Sequence, residues 1–240
     1  VNRTGLDDWL SRGDPVGLAT FASARQGRAT IVPAHLTTGE SNVDQNSYTT
    51  ASVTPTANAL QLLWVVQTAT TVSGPTSITG NGLTWVEVNR KAAGTSALIV
   101  LYRAMGSAPS PGTIAIAFGA GDATTGCHWS LVEYRNVDTS GTNGSGAIVQ
   151  NTANSASANT TCTIALSAFE HSNNVHAYGV SHAASEATTP ATGFQERGDV
   201  SHTLPSRGLE TADAVNDNSA DPSWTTSSAS IWVAVEVKAG

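Results

Sequence analysis

Leu60 to Val66 is a near-continuous apolar run, broken only by Gln61 and set between Pro55 and Gly74. It has no helical stripe and is rich in branched and aromatic side chains. Such a run predicts a strand buried on both faces, at the centre of a sheet. Further strands are expected at about 48–54, 83–90, 96–104, 112–118, 126–135, 146–150, 160–166, 174–181, 194–202, 207–215 and 229–238, most of them separated by Gly, Pro, Asn or Asp. Two show clean alternation. Ile114, Ile116 and Phe118 share one face; Ile231, Val233, Val235 and Val237 point inward while Trp232, Glu236 and Lys238 point outward. Asn81-Gly82 is the strongest turn signal, because both residues accept positive φ. Loops are expected at 137–146, 183–193 and 215–223, and no repeat of fixed period is legible.

Closely spaced strands without an intervening helical pattern predict an all-β fold, an antiparallel β-sandwich of residues 36–240. Residues 1–35 read as an N-terminal arm. Thr4 can cap a short helix over Asp7 to Leu10, with Leu6, Trp9 and Leu10 on one side, and Thr30-Ile31-Val32 reads as an edge strand stopped at Pro33. The arm either covers an open sheet edge or reaches a neighbouring molecule.

Composition narrows the functions this fold can serve. Charged residues make up 12% of the 240, against about 25% in an average soluble protein, so the polar surface is built from Thr, Ser, Asn, Gln and Gly. A net charge of −7 with 11 scattered basic residues argues against a nucleic-acid partner. No apolar stretch is long enough to span a bilayer. The chain starts at Val1 rather than Met, as expected if a leader or preceding domain has been removed. Cys127 alternates with Trp129 and Leu131, and Cys162 with Ile164 and Leu166, so both thiols should point inward, either as a disulfide or as two reduced core cysteines.

Candidate chemistry is sparse. Six histidines (35, 128, 171, 176, 182 and 202) lack any compact zinc spacing, although His176 and His182 share a strand face with Tyr178 and Val180. His128 and Tyr134 share parity while Glu133 faces the other way, which breaks the simplest acid–base set for a glycan-degrading enzyme. Asp213, Asn216, Asp217, Asn218 and Asp221 crowd oxygen ligands together without the order of a calcium loop; a structural calcium is the one cofactor they suggest, beside an ordinary Asx-rich turn. Among six tryptophans, Trp224 and Trp232 are the expected exposed aromatics, suited to subunit contacts or to stacking on a sugar.

The runs Ser47 to Leu60 (Ser-Tyr-Thr-Thr-Ala-Ser-Val-Thr-Pro-Thr-Ala-Asn-Ala-Leu), Gly80 to Trp85 (Gly-Asn-Gly-Leu-Thr-Trp) and Leu101 to Ala104 (Leu-Tyr-Arg-Ala) resemble a group of all-β domains. Those domains occur in structural proteins of tailed bacteriophages and in bacterial surface proteins. The resemblance covers residues 36 to 240. It implies a jelly-roll-like sandwich on a virion exterior or in an extracellular setting, and no catalytic signature travels with it. The expected function is that of a decoration or spike component, a non-enzymatic homo-oligomer whose partners are other protein subunits or a capsid lattice. The alternatives are a secreted carbohydrate-binding module and a polysaccharide-degrading enzyme.

Overall fold

The computed structural model describes residues 29–120 and 124–240; the expected helix of the arm, with Leu6, Trp9 and Leu10, lies outside the described residues. Fifteen strands follow one another in these residues: β1 (Val32–Ser41), β2 (Ser47–Thr49), β3 (Leu60–Ala69), β4 (Ser77–Gly80), β5 (Val86–Ala93), β6 (Ala97–Ala104), β7 (Ile114–Ala117), β8 (Thr124–Arg135), β9 (Ile148–Thr161), β10 (Ile164–Ala165), β11 (Val175–His182), β12 (Gln195–Thr203), β13 (Ser206–Val215), β14 (Ser219–Ala220) and β15 (Ser223–Val237). One turn of 3-10 helix, Ser145–Ala147, precedes β9.

The strands form an antiparallel β-sandwich in four layers. Two five-stranded sheets, ordered β1-β8-β3-β6-β5 and β12-β13-β11-β15-β9, pack face to face. The core between them joins Leu60, Leu62, Trp64 and Val66 of β3 to Val175 and Ala177 of β11 and to Ile231, Val233, Val235 and Val237 of β15. A three-stranded sheet, β2-β7-β4, roofs the outer face of the first sheet through Tyr48, Ile78, Ile114 and Ile116. The β10-β14 pair and the segment around Ala191 and Phe194 roof the second. Every residue of β3 is therefore buried, as the Leu60 to Val66 run predicts, and β3 is the middle strand of its sheet.

A repeat does exist, in topology. Read across the first sheet from β1, the strands stand first, fifth, second, fourth and third in chain order; read across the second sheet from β9, they do the same. The small pairings repeat as well, β2 with β7 and β10 with β14. Each half of the chain thus builds one sheet and its roof. A local echo in sequence is Trp129, Glu133 and Arg135 on β8 against Trp232, Glu236 and Lys238 at the end of β15. Pairing carries this equivalence across the sheets. Val65 lies opposite Trp129 and Val180 opposite Trp232, so Trp64 and Gly179 are equivalent positions. They meet at the centre of the sandwich.

Three expectations change. The edge strand begins at Val32 and runs through Pro33 rather than stopping there, because an edge position leaves the missing N–H of proline without a ladder partner to lose. It also runs across the expected boundary between residues 35 and 36. Asn81 and Gly82 do take positive φ, 57° and 64°, but their turn sends the chain from β4 in the roof to β5 in the large sheet instead of closing a hairpin.

A side chain at Gly179 has no room: a Cβ there would lie 2.3 Å from Cδ1 of Trp64. Gly179→Ala should therefore destabilise the fold by about 1–3 kcal/mol through overpacking, lowering the thermal midpoint by about 2–4 °C per kcal/mol in a chain of this size. An unchanged midpoint in calorimetry would show that Trp64 moves aside freely.

Candidate functional site

The two tryptophans expected at the surface are buried. Trp232 does point away from the central core, but that face carries a roof, and the residue is 6% exposed among Tyr178, Phe194 and Ala220. Trp224 is 5% exposed and stacks on the ring of His182 at 4.9 Å and 10°. Neither side chain presents a face to a glycan or to a neighbouring subunit. The cysteines do point into apolar surroundings, Cys127 under the first roof and Cys162 under the second. Both are free, and two large sheets separate them, so of the two alternatives the structure holds reduced core cysteines and not a disulfide. Burial raises both thiols, Cys162 to about 12.

The acidic and amide residues near 213–221 each have their own local work. Asp213 receives two bonds of 2.7 Å from Arg197 and one of 3.2 Å from the Tyr134 hydroxyl. Asp217 accepts the Ser219 N–H, Asn218 donates to the Leu166 carbonyl, Asp221 accepts from Thr163, and Asn216 sits at φ 55°. Among the described residues no three His, Cys, Asp or Glu side chains are grouped to hold a metal. His128 and Tyr134 share a face, as expected, and it is this face of β8 that meets the central core, while Cys127, Trp129 and Leu131 lie under the roof; six residues of extended strand put His128 and Tyr134 about 20 Å apart. Glu133, on the other face, accepts the Thr56 N–H at 2.6 Å and the Gln61 amide at 2.9 Å.

The structure brings two sets of ionisable groups together that the sequence does not single out. Between the large sheets, His128 of β8 stacks on His202 of β12, centroids 4.0 Å apart, and His202 lies directly opposite Arg207 of β13. Burial, then the nearby His202 and Arg207, lowers His128 to about 3; burial lowers Arg207 to about 10. On the outer face of the second sheet, Tyr178 donates to Glu210 at 3.1 Å, and Asp199 stands opposite Glu210 in the pairing. Burial raises Glu210 to about 8 and Asp199 to about 6. His176 and His182, on that same face, are each lowered to about 4 by burial. The available signal was parity: Arg207 shares its face with Leu209, and His202 with Val200, positions where a strand ordinarily places hydrocarbon.

The sheet edges differ sharply from one another. β1 carries Pro33, His35 and Glu40; β5 carries Glu87, Arg90 and Lys91; β12 carries Glu196, Arg197 and Asp199. Charge and proline on an edge discourage pairing with another chain. β9, the fourth edge, is 14 residues long and has neither charge nor proline. No described helix is long and apolar enough to cross a membrane.

The buried groups set opposite pH trends. Three histidines with folded values near 3 to 4 leave stability intact above their unfolded value of 6.5 and remove it as pH falls below. Glu210, raised to about 8, contributes fully below its unfolded value of 4.5 and loses its contribution as pH rises toward 8. Asp199 acts in the same sense as Glu210, but only up to about 6. Stability should peak near pH 6.5 and fall by about 2 kcal/mol toward pH 8, at about 1.4 kcal/mol per unit for one group. Glu210→Gln should flatten that alkaline limb in a series of thermal melts; an unchanged limb would remove Glu210 as its source. Ellman's reagent should find no reactive thiol in the native protein and two after unfolding.

Comparison with family models, with curated proteins and with solved structures gives no match to this chain.

Proposed function

We propose that the protein is an exterior structural component, of the decoration or spike kind on a phage-like particle, and that it acts through contacts between its own subunits. The observation that carries this reading is β9. Its sequence, Ile-Val-Gln-Asn-Thr-Ala-Asn-Ser-Ala-Ser-Ala-Asn-Thr-Thr, forms a sheet edge beside β15 that carries neither charge nor proline; bulges at Val149 and near Ala158 (φ 56°) leave the stretch between them as the regular edge open to strand addition. The occupant is a second copy, β9 against β9 about a two-fold axis. A strand without charge meets its own image with no repulsion, whereas the other three edges carry Glu, Arg, Lys or Asp that would oppose like charges across such an axis. A surface of Thr, Ser and Asn extends the same tolerance to close packing in a lattice. The resemblance of residues 36–240 to domains of phage structural proteins agrees with this reading. Burial of Trp224 and Trp232 leaves only loop residues to stack on a sugar in the carbohydrate-binding alternative.

Sedimentation velocity over a range of concentrations tests the contact. The wild type should associate, and the double variant Asn154→Lys, Ser157→Lys, both exposed on β9, should sediment as a monomer with an unchanged thermal midpoint. Equal association of the two proteins would exclude β9 as the interface. In extract from the native source the protein should co-sediment with large particles at fixed stoichiometry; a free small species there would exclude the particle.

A further inference from the structure

The cluster of His128, His202 and Arg207 has no role in the contacts proposed above. Its three side chains come from three strands of two sheets and are 0%, 5% and 5% exposed. Both nitrogens of His202, together with Nε and Nη1 of Arg207, are enclosed without a hydrogen-bond partner, and the His128 ring has only the Arg207 backbone within reach. No described carboxylate is ion-paired with the guanidinium. Burying a charge in this state is costly, and native structures rarely leave so many enclosed polar atoms unmatched.

The repeated topology shows that the fold does not demand them. With Trp129 equivalent to Trp232, the position of His128 corresponds to Ile231. Across the paired strands, Arg207 corresponds to Ala97 and His202 to Ala93. Ile231 and Ala97 lie in the central apolar core, with Ala93 packed against it. The same corner of the sandwich is therefore closed once by hydrocarbon and once by a cation and two imidazoles. The backbone is adapted to the second arrangement: a Cβ on Gly126 would stand 2.8 Å from Nε2 of His202.

The chemistry of the cluster selects its ligand. A guanidinium and two imidazoles offer N–H donors and positive charge, which suits an anion; Glu40 of β1, in register with His128 on the same face, is exposed and is not ion-paired with the guanidinium. A metal ion is disfavoured by the adjacent guanidinium and by the stacked rings, whose lone pairs lie side by side rather than converging. His202 and Arg207 are each two residues from the Leu204-Pro205 turn that joins β12 to β13, so the cluster lies close to one end of the sandwich.

We infer that His128, His202 and Arg207 form a binding site for a compact oxyanion, entered from the end of the sandwich at the β12–β13 turn. The anion supplies the acceptors that the enclosed nitrogens lack and offsets the guanidinium charge. The ligand is either a free tetrahedral anion or the carboxylate of a small molecule, and both share this chemistry.

The test is histidine Cε1–H NMR with thermal melts, titrating the intact protein with sodium sulfate or sodium acetate at an ionic strength held constant with sodium chloride. Sulfate or acetate should shift the His128 and His202 resonances saturably, leave His171 unmoved and raise the midpoint by several degrees. Response to sulfate identifies a tetrahedral ligand, and response to acetate alone a carboxylate. Arg207→Met should abolish the saturable shift and, by removing an unmatched buried charge, raise the midpoint in anion-free buffer. His202→Gln should weaken binding at least tenfold while keeping the fold. The inference is overturned if the two resonances follow ionic strength alone, or if the shift survives in Arg207→Met, the result expected of an adventitious ion only. It is equally overturned if Arg207→Met lowers the midpoint in anion-free buffer, since Arg207 would then be structural.

Discussion

The sandwich depends on the contact of one indole with one glycine. Trp64 is fully buried at the middle of the central strand of the first sheet, lies against Gly179 on the central strand of the second, and donates its N–H to the Val233 carbonyl at 3.2 Å. Because the two positions are equivalent in the repeated halves, they face each other across the local two-fold. Two large side chains would collide there and two small ones would leave a void, and interiors tolerate neither. One of each fills the space. The hydrogen bond from indole to the opposite sheet fixes the relative placement of the sheets as well as their spacing.

The other layers follow from that arrangement. With the inner faces committed to each other, the outer faces of both sheets remain too apolar to meet water: Val65, Val100 and Leu131 on one, Val180, Ala212 and Trp232 on the other. Each half of the chain answers by folding its short strands back as a roof. A buried carboxylate ties the structure down in each half, Glu133 by the Thr56 N–H and the Gln61 amide, Glu236 by the amides of Asn174 and Gln150. Charged hydrogen bonds of this sort are among the stronger polar contacts available to a protein.

This layering also explains what could be read in the sequence and what could not. Alternation reports which residues share a face of a strand, and it groups Trp232 with Glu236, Cys127 with Trp129 and Leu131, and His128 with Tyr134 as the structure does. It cannot report whether that face meets solvent. Trp232 and Glu236 were expected at the surface for this reason, and the roof buries both. The twofold repeat escaped because its halves share strand order and pairing more than residues, with Trp129 and Trp232 as a surviving sign. The His128–His202–Arg207 cluster depends on β12 packing over β8, which brings together His128 and His202 from more than seventy positions apart. The edge status of β9 likewise follows from sheet order, which local pattern does not encode.

Cys127 and Cys162 lie under opposite roofs, each enclosed and each with its thiol held protonated by its surroundings. No breathing motion of the native sandwich brings them together, because two intact sheets stand between. A bridge between them can form only in a chain whose layers have come apart. Oxidation therefore offers this fold no stabilising route and acts as a trap for molecules that have not finished folding. The redox poise of the surroundings leaves the native protein untouched and governs only how many chains are lost on the way to it.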